Sequence, residues 1–355
     1  MTVDRPERIR GSLLVGAIGD ALGAAIEFMY LPEIEERFGP EGVTDFTPHF
    51  GHDAPITDDT QMTLFTAEGL IRAAADGTDP VKEGIWSAYQ RWYHTQRGGP
   101  LPEGTDPTSG LLAVQSLHDD RAAGWTCLGS IKNGVPGEPD VPLNGSKGCG
   151  GVMRVAPVGM VAGSDDTAYR LGCASAALTH GEPCGWISAG VQAVIVRRLV
   201  AGDTLEDAVA TGRSFAEADQ RDTGVVAALD AAVQLAGRAP LDGRMIEELG
   251  EGKVGEEALA IAVACVLAEP DPNQALLLAV NHSGDSDSTG AIAGNLLGAL
   301  HGTGPIRDDW CERVELADVI TDIASQLAEV RIGPPAGKWR RWFQGLLFRR
   351  RSSPA

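Results

Sequence analysis

"GSLLVGAIGDALGAAIEF", residues 11–28, carries apolar side chains at Leu13, Leu14, Ala17, Ile18, Ala21, Leu22, Ala25 and Ile26. That is helical period over four turns, and it predicts a buried helix. Gly16, Gly19 and Gly23 weaken intrinsic helicity but leave room for another backbone, so the stretch also predicts a tightly packed partner. Asp20 and Glu27 fall seven residues apart, on one face. An ionised carboxylate in an apolar stripe needs a compensating partner. Glu27 therefore reads either as part of a metal site or as a buried glutamate hydrogen-bonded within the helix. Asp20 reads as a residue that orients backbone at a site or as a cap. The same two charges keep the apolar run short of the roughly 20 residues that cross a bilayer, so neither a signal peptide nor a transmembrane helix is expected.

Outward from this segment the helical period recurs. In "APITDDTQMTLFTAEGLIRAAADG" Thr57 is a good N-cap, and Met62, Phe65, Leu70 and Ala73 form the apolar stripe behind it. Residues 82–95 read as helix, a Gly/Pro/Thr-rich loop follows, and a short helix ends near His118. Residues 124–151 read as a glycine-rich loop feeding a buried element. Further helices are expected at about 166–178, 185–201, 204–219, 222–236, 255–267, 272–280, 288–301 and 313–330. Alternating β-branched residues are nearly absent, so the expected class is all-α, a compact multi-helix bundle. No repeat of solenoid length recurs. One domain is expected over 1–332, with 333–355 as a basic, aromatic extension after "GPPAG".

Composition narrows the function. A chain of 355 residues with 43% hydrophobic content can bury a substantial core. The formal net charge of −20 repels phosphate backbones, which argues against a broad nucleic-acid surface but not against a small anion held by a metal. Cys127, Cys149, Cys173, Cys184, Cys265 and Cys311 show no C-x-x-C spacing and read as reduced thiols in a cytoplasmic protein.

Two acidic clusters stand where loops enter helices: "TDD" at 57–59 and "DSDS" at 285–288, the latter within "NHSGDSDSTGAIAGNLLGALHG", residues 281–302. Carboxylates and hydroxyls suit hard cations such as Mg²⁺ and Mn²⁺, and two such clusters brought together would hold a pair of ions. The competing reading is helix capping, which Asp, Ser and Thr also perform. A calcium loop is excluded, because Leu296 stands where its bidentate Glu would be.

Five ordered motifs now matter together: "GDALGAAIE" (19–27), "TDDTQMT" (57–63), "GCGGVMRVAPVG" (148–159), "LTHGEP" (178–183) and "GDSDSTGAIAGNLLGA" (284–299). In this set the chain resembles the ADP-ribosylglycohydrolases over about residues 8–330. The resemblance implies an all-α fold with a binuclear metal site, two Mg²⁺ or Mn²⁺, gripping the distal ribose of ADP-ribose. It implies metal ligands at Thr57, Asp58, Asp59, Asp285, Asp287 and Ser288, and catalytic roles for Glu27, Asp58 and Asp59. It also implies an ADP-ribosylated protein as substrate, and the "GDSDST" form resembles the arginine-hydrolase branch. Other linkages (serine, nucleic acid, O-acetyl-ADP-ribose) and a non-catalytic ADP-ribose-binding member are the alternatives.

Substrate contacts are expected from Gly148, Gly150, Gly151 and Met153, whose loop would wrap the pyrophosphate with backbone N–H groups. Asp20, His180 and, through a loop match, Asp106 complete the substrate set. Lys147 and Arg154 read as phosphate-neutralising groups or as members of structural ion pairs. The tail "KWRRWFQGLLFRRRSSPA", residues 338–355, places Trp339, Trp342, Phe343, Leu346 and Leu347 on one helical face among basic residues. Docking on the protein's own acidic body is favoured there over contact with an anionic membrane.

Overall fold

The computed structural model describes residues 3–333, and the expected all-α class holds across them, with only isolated β-bridges beside the helices. The first helices are α1 (Arg5–Gly23), α2 (Leu31–Phe38), α3 (Asp58–Asp76), α4 (Trp86–Arg97), α5 (Trp125–Lys132) and α6 (Ala156–Val161). Then come α7 (Asp165–Ala177), α8 (Pro183–Ala201), α9 (Leu205–Ala218), α10 (Val225–Ala236) and α11 (Gly243–Ile246). The last are α12 (Gly255–Ala268), α13 (Pro272–Val280), α14 (Ser286–His301), α15 (Asp308–Arg313) and α16 (Ala317–Ala328). One continuous apolar core reaches from Ile9 to Val330. The expected boundary at 332/333 falls at the end of the described residues, and the amphipathic tail, residues 338–355, lies outside them.

The partner predicted for the first helix is α14, and the two make the most extensive helix pair in the fold. A side chain at Gly19 would collide with the carbonyl of Gly290, and one at Gly290 with the carbonyl of Gly19. Gly294 and Gly298 meet Val15 and Gly11 one and two turns further along. Ser12 Oγ donates to the Asn295 carbonyl and Asn295 Nδ2 to the Ser12 carbonyl, both at 2.8 Å, which fixes the register. Two helices from opposite ends of the chain are thereby brought into backbone contact.

Several boundaries differ from the sequence reading, each for a local reason. Helix α1 stops at Gly23 rather than running through Ile26, and Ala24–Phe28 form turns. Glu27 is thus not within the first helix. Helix α8 begins two residues early because Glu182 accepts from the Cys184 N–H and Pro183 occupies N1, where its missing N–H costs nothing. The stretch expected as one helix at 313–330 begins only at Ala317, because Val314 leaves the helical region where α15 ends and Leu316, with a φ of 63°, stands at the N-cap of α16. Near His118 two 3₁₀ turns replace the expected short helix. By length and composition α8 could cross a bilayer, but 83% of that window is buried inside the fold.

Candidate active site

Asp20 sets up the site without lining it. Its carboxylate accepts from Thr57 N (3.0 Å), Thr60 N (3.1 Å) and the Thr60 hydroxyl, so a side chain of α1 caps the start of α3. Thr57 Oγ1 adds the local cap by accepting from Asp59 N at 3.2 Å. The first turn of α3 is therefore held at both ends, and it carries Asp58 and Asp59. Opposite it, α14 presents Asp285, Asp287 and Ser288. The capping reading fails for Asp285, whose side chain makes no cap hydrogen bond. Instead its Oδ2 accepts from the Cys149 thiol at 3.2 Å.

These groups face one cleft of about 520 Å³. Glu27, Asp58, Asp59, Asp285, Asp287 and Ser288 line its floor and one side; Gly148, Gly150, Met153 and His180 line another. Thr57 and Gly151 lie just behind the lining. Asp106 is exposed on a surface loop and takes no part in the lining; its carboxylate is engaged by Thr108 N at 2.9 Å and Thr108 Oγ1 at 2.7 Å. Lys147 pairs with Glu256. A second cleft, of equal volume, has polar side chains in its lining that are already engaged: Arg244 with Glu35, and Asn281 with the backbone of Val43 outside the lining.

Sequence reasoning missed Phe28, Ala122, Trp125 and Lys253 on the cleft. Trp125 is 91% exposed and Phe28 55% exposed, and both line the cleft. Phe28 (φ 60°) and Ala122 (φ 63°) are two of only four non-glycine residues with positive φ among the described residues. Such strain persists only where the surroundings over-determine it. At Phe28 the surroundings are a clamp: its N–H donates to the Gly284 carbonyl at 2.6 Å, and Gly284 N donates to the Met29 carbonyl at 3.2 Å. That clamp ties the Glu27 turn to the loop that delivers Asp285. Loop residues carry no periodicity, so only the unusual "AGW" at 123–125 offered any signal.

The electrostatics are those of crowded anions in a dry place. Burial, with Asp287 next, pushes Asp20 up to about 7. Burial and then Asp287, Asp285, Asp58 and Asp20 push Glu27 up to about 10. Burial carries Asp58 to about 8 although the Gly124 N–H, 3.1 Å away, opposes the rise. Asp59, Asp285 and Asp287 are raised as well, by burial first. Asp59 Oδ2 is buried without any hydrogen-bond partner. Among the described residues no three carboxylate, thiol or imidazole groups already close around a point. The donor set is nonetheless all hard oxygen, converging from two helix starts, with an orphaned oxygen and excess negative charge. That chemistry fits divalent cations of the Mg²⁺ and Mn²⁺ type.

The ADP-ribosylglycohydrolase family profile matches residues 1–336. The chain belongs to the ADP-ribosylglycohydrolase family. An ADP-ribosylhydrolase, ARH3, of Bos taurus is 26% identical over 351 residues, covering 88% of this chain and 91% of its own. The ADP-ribosylarginine hydrolase Tri1 of Serratia proteamaculans is 24% identical over 322 residues, covering 90% of this chain and 79% of its own. A solved structure, an ADP-ribosylglycohydrolase-related protein complex, superposes with a TM-score of 0.64 at 24% identity, over 93% of this chain and 99% of that one. The structural likeness bears on the fold alone. As a member of this family the chain is a glycohydrolase acting on ADP-ribosylated substrates.

Proposed function

We propose that this ADP-ribosylglycohydrolase cleaves the N-glycosidic bond of ADP-ribosylarginine in proteins and releases ADP-ribose. The observation that carries the reading is the cleft itself: five carboxylates line it, one with an oxygen that nothing in the fold satisfies. An anionic lining suits a cationic guanidinium as the group being released, and the net charge of −20 disfavours a nucleic-acid substrate. The likeness to the Serratia relative, an ADP-ribosylarginine hydrolase, supports the same linkage.

Thr57, Asp58, Asp59, Asp285, Asp287 and Ser288 would hold two Mg²⁺ or Mn²⁺ ions. Such ions supply positive charge and Lewis acidity at the ribose hydroxyls. The chain's own groups do the rest. The Gly148–Gly151 loop and Met153 shape the wall against the diphosphate, and His180 offers it a ring nitrogen. Glu27, at the half-buried edge of the cleft, and Asp58 or Asp59 on the floor accept the proton of the attacking water. Acid–base help of this kind is worth about 10²- to 10⁴-fold. Asp20 holds the α3 start in register and touches no substrate.

The test incubates the purified protein with arginine-, serine- and nucleobase-linked ADP-ribose in the presence of Mg²⁺ or Mn²⁺. Release of ADP-ribose from the arginine linkage is the expected result. Release from another linkage alone would move the substrate, and release from none would remove the reading.

A further inference from the structure

Arg154 is fully buried, and among the described residues no carboxylate pairs with it. A guanidinium in that position is costly, so its contacts carry weight. It stacks 4.4 Å over the Tyr89 ring and donates through Nη1 to Cys127 Sγ at 3.1 Å. Through Nη2 it donates to Thr179 Oγ1 at 2.6 Å. Thr179 is itself pinned: its carbonyl accepts from Ser130 Oγ at 3.0 Å and from Asn144 Nδ2 at 2.8 Å. Its hydroxyl then meets His180 Nδ1 at 2.9 Å. The His180 ring lies on the cleft wall with its Nε2 edge toward Gly148 and Gly150, and Nε2 has no hydrogen-bond partner among the described residues.

The proton positions follow from what each group can do. A guanidinium only donates, so Thr179 Oγ1 must accept from Arg154. The hydroxyl's single proton then has two possible acceptors: His180 Nδ1 at 2.9 Å or the Ala176 carbonyl at 3.4 Å. The shorter contact takes it. Nδ1 is then an acceptor, and the neutral ring carries its proton on Nε2. We propose that Arg154, acting through the Thr179 hydroxyl, fixes His180 as the Nε2–H tautomer, so that the ring presents a donor and never a lone pair to the cleft. Arg154 fills one of the hydroxyl's two lone pairs and polarises its O–H toward donation; without it the hydroxyl accepts more readily from an Nδ1–H and donates to Ala176, which would turn a lone pair toward any ligand oxygen. Arg154 is a positioning residue, two contacts removed from the ligand. The tautomer stands on this geometry alone; its use, donation to an oxygen of the ribosyl diphosphate, rests on the proposed function.

Imidazole ¹⁵N spectra of the full-length protein, with the His180 signals identified by their loss in His180→Gln, read the tautomer directly. The Nε2–H form is expected from pH 6 to 8. Thr179→Val should let the Nδ1–H form appear and weaken ADP-ribose binding roughly tenfold, the loss of one hydrogen bond to a charged group. Thr179→Ser should restore both. In turnover the Thr179→Val loss should fall on KM rather than kcat. Arg154→Met should repeat the effect if it folds, and Thr179→Val carries the test if it does not. An Nδ1–H ring in the unmodified protein, or an unchanged ring in Thr179→Val, overturns the relay. An Nε2–H ring that responds to Thr179→Val in a protein that fails to bind ADP-ribose would uphold the relay and sink the hydrolase reading instead.

Discussion

Asp285 shows how much one side chain can decide. Standing at a helix start, it could be a cap, and its geometry says that it is not. Removing its charge should therefore cost the fold little. Asp285→Asn is expected to raise the thermal stability of the cation-free protein, on the order of 1 kcal/mol, by relieving repulsion, while abolishing most turnover. Calorimetry beside an activity assay reads both, and full activity in Asp285→Asn at low Mg²⁺ would contradict a two-cluster site. Glu27→Gln should separate differently, keeping divalent affinity within a few-fold while turnover falls about 10²-fold or more. Titration calorimetry with Mn²⁺ checks this, and equal losses would make Glu27 one more ligand. Asp20→Ala should destabilise by about 1–2 kcal/mol, because three donors at the start of α3 lose their acceptor. Of these three residues, Asp285 and Glu27 were legible as site candidates from motif and chemistry. Asp20 stayed ambiguous because a cap in another helix leaves no trace in local spacing.

Elements were legible where period and caps agreed. Helix α3 starts after its expected cap, Thr57, and α7, α9, α12 and α13 fall within a residue or two of expectation, since each carries a dense apolar run and most also have an Asp, Ser or Thr at the cap. Helix α2 was missed because eight residues, four of them charged, hold too few turns for a period to register. Helix α5 was hidden in a glycine-rich stretch, although it carries Trp125 to the cleft mouth. The pairing of α1 with α14 was half legible: the glycines announced a close partner without naming it. That pairing makes a sharp prediction. Gly19→Ala or Gly290→Ala gains about 1 kcal/mol of helix propensity yet should lose more than that, because each methyl drives into a backbone carbonyl. Urea denaturation should show a net loss of about 1–3 kcal/mol for either variant. Turnover should drop with it, since Asp20 follows Gly19 directly and Asp287 stands one turn before Gly290.

At the scale of the whole molecule the crowded carboxylates link stability to pH. Their folded pKa values lie above the ordinary carboxylate range, with Asp20 at about 7 and Asp58 at about 8, so the cation-free fold binds more protons than the unfolded chain between about pH 4 and 8. The stabilising protons are present below that window and are lost as pH rises through it. The Tm of the cation-free protein should therefore fall from pH 5 to pH 8.5. Mg²⁺ or Mn²⁺ should remove most of that slope, with a gain that grows with pH. Scanning fluorimetry with and without a chelator tests this, and Asp287→Asn should flatten the chelator curve. The close seam between residue 19 and residue 290 has a further consequence, which concerns biosynthesis. A ribosome adding about 5–20 residues per second releases α1 roughly tens of seconds before α14 exists to cover it. For that interval the α1 apolar face must be held by transient neighbours or a chaperone. Nascent chains arrested before residue 286 should be protease-sensitive at their amino-terminal end and inactive, and those arrested after α14 has cleared the exit tunnel should be neither.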